Sequence, residues 1–554
     1  MLREKIKGKY RWLGVPLAAA LLTACGDDAA QPDNNAGGAT TLSGSVFASY
    51  VDGASCNVLD INGNVIAGPV TTSASGDYSV TLPDSHLAEN LVVECNNGTF
   101  VDEATGSTQT AGAMSAYIAG GTASVGTSVH VTLSTSIISA LVEGGMSAEA
   151  AVNAFTAAFG FTPDYAVAPT DATAPEAGAD NARLLAGLRA ATFSQLASDL
   201  SIEQFDLIVA LVADLADDGE LNGNTTLPAD IQNRFNEALL NFRNGNDETG
   251  LANSELGVLP FAKTAVTTNY KVTYDDGGHD AVNGKTAFTI NVTDDSDVAV
   301  GGLDVSIDPL MNMDGREHAT PYTADCAEMG GVGEYHCTVY YVMPSVMGMG
   351  EMAMSMGYWA LDVTVEADEA VTFYPKVTMA MGDTAQVRLK GISDTIMAMG
   401  GDGGQARTYY LFKQGLSAAM GMGGGYELDL FIAANESMMS FPAIVSGNTL
   451  NDGSMMYALP LDTIVVEVSI DGVSWSVLDE GVDGRWRTAV AMALVDGEQA
   501  EILVKLTING EQKTTDGAML NNEDLFVDGA VNPLNNHFAV FKLTPGGGMM
   551  HMPM

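Results

Sequence analysis

Positive charge is scarce in this sequence: 23 lysines and arginines stand against 69 aspartates and glutamates, a formal net charge of −46 at pH 7. A surface so biased repels phosphate backbones and anionic headgroups, which sets nucleic acid aside as a partner. Cysteine is rarer still, five in 554 residues, and none lies in the short Cys-x-x-Cys spacing of structural zinc sites. Long apolar runs are missing as well. Leu13 to Leu22 is too short to remain in a bilayer as a spanning helix, and no later segment is longer and equally apolar. Catalytic constellations are also absent. There is no Gly-x-Ser-x-Gly elbow, no His-Glu-x-x-His and no phosphate loop ending in Gly-Lys-Ser/Thr, and stretches such as Gly421-Met-Gly-Gly-Gly lack a strand-to-helix context. The expectation is a non-catalytic protein.

What the chain does have is methionine, and it has it in one place. Twenty-five of 28 methionines follow residue 310, and nine pairs are spaced i,i+2 while only three are adjacent. Random placement over that stretch predicts roughly 2.5 pairs of the first kind and about as many of the second, so abundance does not explain the spacing. Three readings compete: soft-metal ligation, core or flexible filling, and an oxidant-scavenging surface. Core methionines would sit among Leu, Ile and Val, whereas Met347, Met349, Met352, Met354 and Met356 alternate with Gly, Ala, Ser and Glu. Neutral, polarizable thioethers suit Cu(I) where cysteine would be oxidised. In a strand, i and i+2 side chains share a face roughly 6.5 to 7 Å apart, within reach of one ion.

The N-terminus points to such a compartment. Five basic residues precede the apolar stretch, and Leu22-Thr23-Ala24-Cys25 reads as a lipobox. We therefore expect residues 1–24 to be a lipoprotein signal peptide, Cys25 to be lipidated, and 25–41 to be a flexible tether in the cell envelope. Gly26 after the cysteine resembles the signal that sends bacterial lipoproteins to the outer membrane. Cleavage would leave 18 Lys and Arg against 68 Asp and Glu. In an oxidising space the remaining cysteines read as two disulfides, Cys56 with Cys95 and Cys326 with Cys337, in preference to metal thiolates.

The fold class expected is multidomain and mainly β, with a helical insert. Over 42–110 short alternating segments around Asn62-Gly63 and Ser75-Gly76-Asp77 predict a small β-sandwich. Ser147 to Phe159 and Asn181 to Leu200 read as helices. Ser201 with Gln204 is a capping-box start ahead of the stripe Phe205, Ile208, Val212 and Leu215, and a further stripe follows at Ile231, Phe235, Leu239 and Phe242. A bundle of four to six helices thus fills 130–250, with Asp214 to Asn224 as a helix-to-helix turn, since Ala216 and Thr225 break the calcium-loop template. Alternation returns over 262–390 and 391–544, which reads as two further sandwiches, before a Met/His-rich tail at 545–554.

Two resemblances sharpen this picture. Ala54 to Gly63, Ser75 to Val80 and Thr99 to Gly106 resemble carboxypeptidase-regulatory-like or bacterial Ig-like modules, which implies an Ig-like spacer over about 42–105. Leu303-Asp-Val-Ser-Ile, Met311-Asn-Met313, Gly333-Glu-Tyr335, Met343-Pro344 and Gly357-Tyr-Trp359, in that order, resemble the YtkA-like domain family over about 286–366. That family implies an Ig-like envelope sandwich whose loop methionines and histidines are associated with copper. The ligands expected for Cu(I) are Met311, Met313, Met343, Met347, Met349, Met352, Met354 and Met356, with His318 and the tail residues Met550, His551, Met552 and Met554 as secondary sites. His336 falls out of phase with Tyr335 and Cys337 and is left aside. The partners implied are the membrane, through the lipid, a copper ion and a copper-handling envelope protein. The rival reading is a scaffolding or adhesive surface lipoprotein.

Overall fold

The computed structural model describes residues 38–124, 127–323, 326–348, 354–367, 369–398, 403–419, 424–451, 455–488 and 491–546. Cys25, Met349, Met352, Met550, His551, Met552 and Met554 therefore lie outside the described residues. The chain is mainly β and divides into two compact units, one ending at Gly250 and the other beginning at Leu251.

In the first unit, Ala39–Phe47 pairs antiparallel with Asp77–Pro83 and parallel with Val131–Thr132. A second sheet runs in the order Val65–Thr71, Ser55–Asp60, Leu91–Asn96, Met114–Ile118. Strict alternation along Asp77–Pro83 turns Tyr78, Val80 and Leu82 inward. Cys56 and Cys95 are cross-strand partners and form one disulfide; Cys326 and Cys337 form the other.

Five α-helices follow, Leu133–Glu143, Ala148–Phe159, Asn181–Leu200, Gln204–Asp218 and Ile231–Gly245. Thr132, Ser147 and Asp180 cap the first three with side-chain oxygens. Ser201 is a correction to the sequence reading. It ends Asn181–Leu200 in the left-handed conformation (φ 54°), and the next helix begins at Gln204 without a side-chain cap. Asp214 accepts the N–H groups of Asn222 and Gly223, so its loop closes on itself as a turn. The sheets and helices share one apolar core: Leu42, Val46 and Val93 belong to the same cluster as Ile137, Phe155, Phe193, Leu207 and Phe235. The change of period after residue 130 marks a change of element within that core.

The second unit holds two opposed sheets. One has the order Thr264–Val266, Lys271–Asp275, Gly284–Thr293, Glu334–Tyr341, Ala327–Glu328; the other Arg316–Ala319, Val305–Met313, Tyr358–Val365, Glu369–Phe373. Phe288, Ile290, Val292, Tyr335, Cys337, Val339 and Tyr341 meet Ile307, Met311, Trp359, Leu361 and Val363 between them. The expected sandwich after 390 is instead a single nine-stranded sheet that begins at Gln386 and includes Gly404–Ala418, Tyr426–Asn435, Ile464–Ser469, Ala500–Ile508 and Ala539–Leu543. It curls until its ends meet, where Lys390 and Thr514 exchange N–H···O bonds of 2.6 and 3.0 Å. Period-two alternation specifies one buried face per strand, and a curled sheet satisfies it as well as a layered one.

Two predictions follow from this packing. The disulfides close loops of 39 and 11 residues, for which chain entropy gives roughly 4 and roughly 3 kcal/mol of stabilisation. Replacing each pair by alanine should lower the stability of its own unit by about those amounts, read by hydrogen exchange under denaturant. Separately, burial holds the Glu103 carboxyl well above the usual range, reinforced by the charges of Asp171 and Asp102, although Ala172 donates its N–H to Oε1 at 2.7 Å. The folded state thus keeps this proton where an unfolded glutamate has lost it. The stability present below the ordinary glutamate range is lost as pH rises through the raised value. Glu103→Gln should be more stable than the parent at about pH 8 and roughly equal to it at about pH 4 by chemical denaturation.

Candidate metal centre

The strand Val305–Met313 turns through Asp314 and Gly315, whose φ of 68° suits glycine, into Arg316–Ala319. The register pairs Met311 with His318 and Met313 with Arg316, which puts all four on one face of the hairpin. Ser254 anchors the turn through two hydrogen bonds to Asp314, 2.8 Å from its N–H and 2.7 Å from its hydroxyl. Along that face the environments diverge. Met311 is fully buried against the sandwich core, whereas Met313 is half-buried and opens onto a cleft of about 740 Å³.

Residues from four segments of the second unit bring thioethers to this cleft: Met313 from the hairpin, Met343 after Glu334–Tyr341, Met397 at the end of Gln386–Met397, and Met438 after Tyr426–Asn435. His318 lines it too. The Ala319 N–H donates to the Met438 carbonyl at 2.8 Å, tying the histidine strand to the methionine that follows Tyr426–Asn435 of the curled sheet. Met343 is held by its own carbonyl, which accepts the Trp359 Nε1–H at 3.3 Å.

His318 is oriented by a 2.6 Å contact between Nδ1 and the Ala319 carbonyl. A carbonyl only accepts, so Nδ1 carries the proton and the neutral ring presents a lone pair at Nε2, the arrangement used when imidazole ligates a metal. Burial lowers the pKa of this ring, and the charges of Arg316 and Arg388 lower it further against the opposing Ala319 carbonyl.

Of the other expected ligands, Met347 and Met354 are cross-strand partners on a short hairpin, 41% and 65% exposed, and do not line the cleft. Met356 is half-buried at the edge of the sandwich core, its N–H donating to Ser345 at 2.8 Å. The six of the eight expected ligand methionines that lie among the described residues are thus spread over the core interior, the cleft and the hairpin. The strand period that pairs i with i+2 also carries Met311 under Trp359, with which it is in register. Met397 and Met438 were not expected at this site. Met397 carries the i,i+2 signal through Met399, whereas Met438 is one of an adjacent pair and has no spacing signal. His336 is exposed and contacts the Met329 carbonyl.

Charge around the cleft is committed elsewhere. Glu436 is gripped by Arg407 at 2.6 and 3.0 Å, and Arg407, fully buried, also pairs with Asp394 and donates to the Tyr457 carbonyl. Lys513 bridges Asp394 at 3.1 Å and Glu511 at 2.8 Å. Burial pushes Glu511 up, but Lys513, Ser393 and the Ile392 N–H outweigh it and bring it down to about 2. Asp516 accepts from the Ala518 N–H and Asn536, both at 3.0 Å. Among the described residues, no three His, Cys, Asp or Glu side chains converge on one point; the soft donors in the cleft lining are four methionines and one histidine, beside the oxygen-bearing side chains of Gln405, Thr408, Asn435, Ser437 and Asp516. No helix among the described residues is long and apolar enough to cross a membrane.

Removing Arg407 would leave Glu436 and Asp394 buried without their main partner. Arg407→Met should cost about 3–5 kcal/mol, and the triple change Arg407→Met/Asp394→Asn/Glu436→Gln should recover most of it, measured by urea unfolding. Compared with models of known protein families and with curated proteins, the chain matches none.

Proposed function

We propose that this chain is a lipid-anchored protein of the bacterial cell envelope that binds Cu(I), as cargo for storage, delivery or detoxification, with the methionine–histidine cleft of the second unit as its main site. The observation that carries this reading is that Met313, Met343, Met397, Met438 and His318 line one cleft, with Nδ1 of the histidine held by the Ala319 carbonyl. These donors are neutral and soft, which suits a monovalent soft cation better than Zn²⁺, Ca²⁺ or Mg²⁺. Thioethers do not titrate, so holding the ion asks for no deprotonation from them. Support also comes from the methionines outside the cleft. Met329, Met347, Met354, Met379, Met381, Met439, Met456 and Met519 are all exposed, an uncommon use of an apolar side chain if its purpose were packing. The lipobox at Cys25 and the YtkA-like resemblance over about 286–366 agree with an envelope copper role. The lipid would anchor the chain in the outer membrane, and a copper-handling envelope protein would be its exchange partner.

Replacing Met313, Met343, Met397 and Met438 together by leucine tests the reading, because the exchange is nearly volume-conserving and should cost each site less than about 1.5 kcal/mol. The parent should withdraw Cu(I) from a coloured chelator under anaerobic reducing conditions. The leucine variant should lose at least tenfold in that competition, while Met347→Leu/Met354→Leu, away from the cleft, should lose less. Equal uptake by parent and quadruple variant would remove the cleft as the site. No uptake by the parent would favour the scaffold or adhesive reading.

A further inference from the structure

We propose that Lys513 and Asp394 condense spontaneously into a side-chain amide, so that the curled sheet is closed by a covalent bond as well as by hydrogen bonds. The pair sits where the ends of that sheet meet. Lys513 immediately precedes Thr514, and Asp394 lies four residues after Lys390, the two residues that exchange N–H···O bonds across the closure. Lys513 Nζ approaches Asp394 Oδ2 at 3.1 Å, and both side chains are almost wholly shut off from solvent. The backbone is shaped to bring Asp394 there. Lys390 faces Thr408 and Thr395 faces Ala406, so residues 391–394 bulge against Arg407 alone. A Cβ at position 391 would stand 2.3 Å from the Asp394 carbonyl oxygen, which is why Gly391 opens the bulge.

The groups around this pair distinguish it from a plain buried ion pair. Forming an amide needs an amine relieved of its proton, a carboxyl carbon made electrophilic, and a site closed to water. Glu511 Oε1 lies 2.8 Å from Lys513 Nζ and is the proton acceptor. The N–H groups of Ile392 and Ser393, each at 2.9 Å, and the Ser393 hydroxyl hold that carboxylate in place. Arg407 donates to Asp394 Oδ1 and Tyr409 to Oδ2, which draws electron density from Cγ; as i and i+2 on Gly404–Ala418 the two share one face of their strand. Glu511 itself meets backbone N–H groups and a hydroxyl where Asp394 meets a guanidinium and a phenol, so Asp394 is the electrophile. The step balances with no further reactant. Glu511 takes one proton from the Lys513 ammonium, the freed lone pair forms the Nζ–Cγ bond, and Arg407 faces the charge that collects on Oδ1. The Cγ–Oδ2 bond then breaks, and Oδ2 leaves as water with a second proton from Nζ and the first one returned by Glu511. Nothing is oxidised or reduced. Condensation also removes one buried ammonium and one buried carboxylate, each costly to desolvate, and leaves Glu436 to Arg407.

Peptide masses test this directly. The full chain is reduced, unfolded and digested with trypsin. The parent should yield one branched peptide in which 391–407, carrying Asp394, is joined to 506–542, uncut after Lys513 and lighter than the two segments together by one water. Lys513→Arg keeps the positive charge but cannot form this bond, and should release the segments separately. Glu511→Gln keeps the Lys513–Asp394 contact and loses the proton acceptor. It should leave most chains unlinked at harvest, with its fold checked by circular dichroism, when the parent is fully linked. Separate segments from the parent overturn the amide and leave an ion pair. Loss of water within 506–542 alone overturns Asp394 as the partner, and linkage in Glu511→Gln equal to the parent's overturns the role of Glu511. The parent's masses alone decide whether the bond exists, whatever becomes of the variants, and they are independent of whether the cleft holds copper.

Discussion

Tyr340 stacks on Phe431 with centroids 4.0 Å apart and lies 5.3 Å from Phe412, and on this seam the candidate site depends. Tyr340 and Val342 leave the outer face of the two-sheet region, Tyr410, Phe412, Phe431 and Ala433 leave the outer face of the curled sheet, and together they make a small apolar cluster of their own. Aromatic pairs add about 0.5–1.5 kcal/mol beyond area burial, and the Ala319–Met438 and Gln386–Val342 hydrogen bonds fix the register in which the faces meet. Met343 packs against this cluster and lines the cleft. Without the seam Met313 and His318 would stand on one sheet and Met397 and Met438 on another, each exposed and none convergent.

Polarity around the cleft is arranged in layers. Behind it the Arg407–Glu436–Asp394–Lys513–Glu511 network satisfies buried charge within one end of the curled sheet. Such a network is weak evidence of stability, since the desolvation of each ion offsets its Coulombic gain. Its consequence here is that the nearest hard oxygen ligands are already engaged. The four methionines and His318 add soft, neutral donors to a lining that also carries Arg316, Lys390 and Asp516, and His318 is kept in one tautomer by a backbone carbonyl. The proposed preference for a soft monovalent ion thus comes as much from the ligands taken out of play as from those on offer.

Legibility differed by element. Helices over 147–159 and 181–200 could be read within a residue or two because caps and 3.6-residue periodicity are local. The strand faces Phe288/Ile290/Val292 and Tyr335/Cys337/Val339/Tyr341 were equally plain, since alternation over one segment names its buried side. Ser201 misled because one residue can end a helix in the left-handed region or begin the next, and only the backbone angle distinguishes the two. The curled sheet was read as a sandwich because closure depends on twist and stagger summed over nine strands, which no window of sequence contains.

The sequence by itself determined the composition of this protein: an acidic surface, two disulfides, a mainly β chain with helices between, and methionine concentrated after residue 310 outside ordinary core patterns. It also singled out Met313, Met343 and His318. Only the tertiary structure decided that Met311 is core, that Met347 faces Met354 on a separate hairpin, and that Met397 and Met438 join the cleft. The reason is physical. Side-chain period is set by local backbone geometry, whereas convergence of residues 125 positions apart, Met313 with Met438, is set by which sheet surfaces pack together, and that choice is made by the seam.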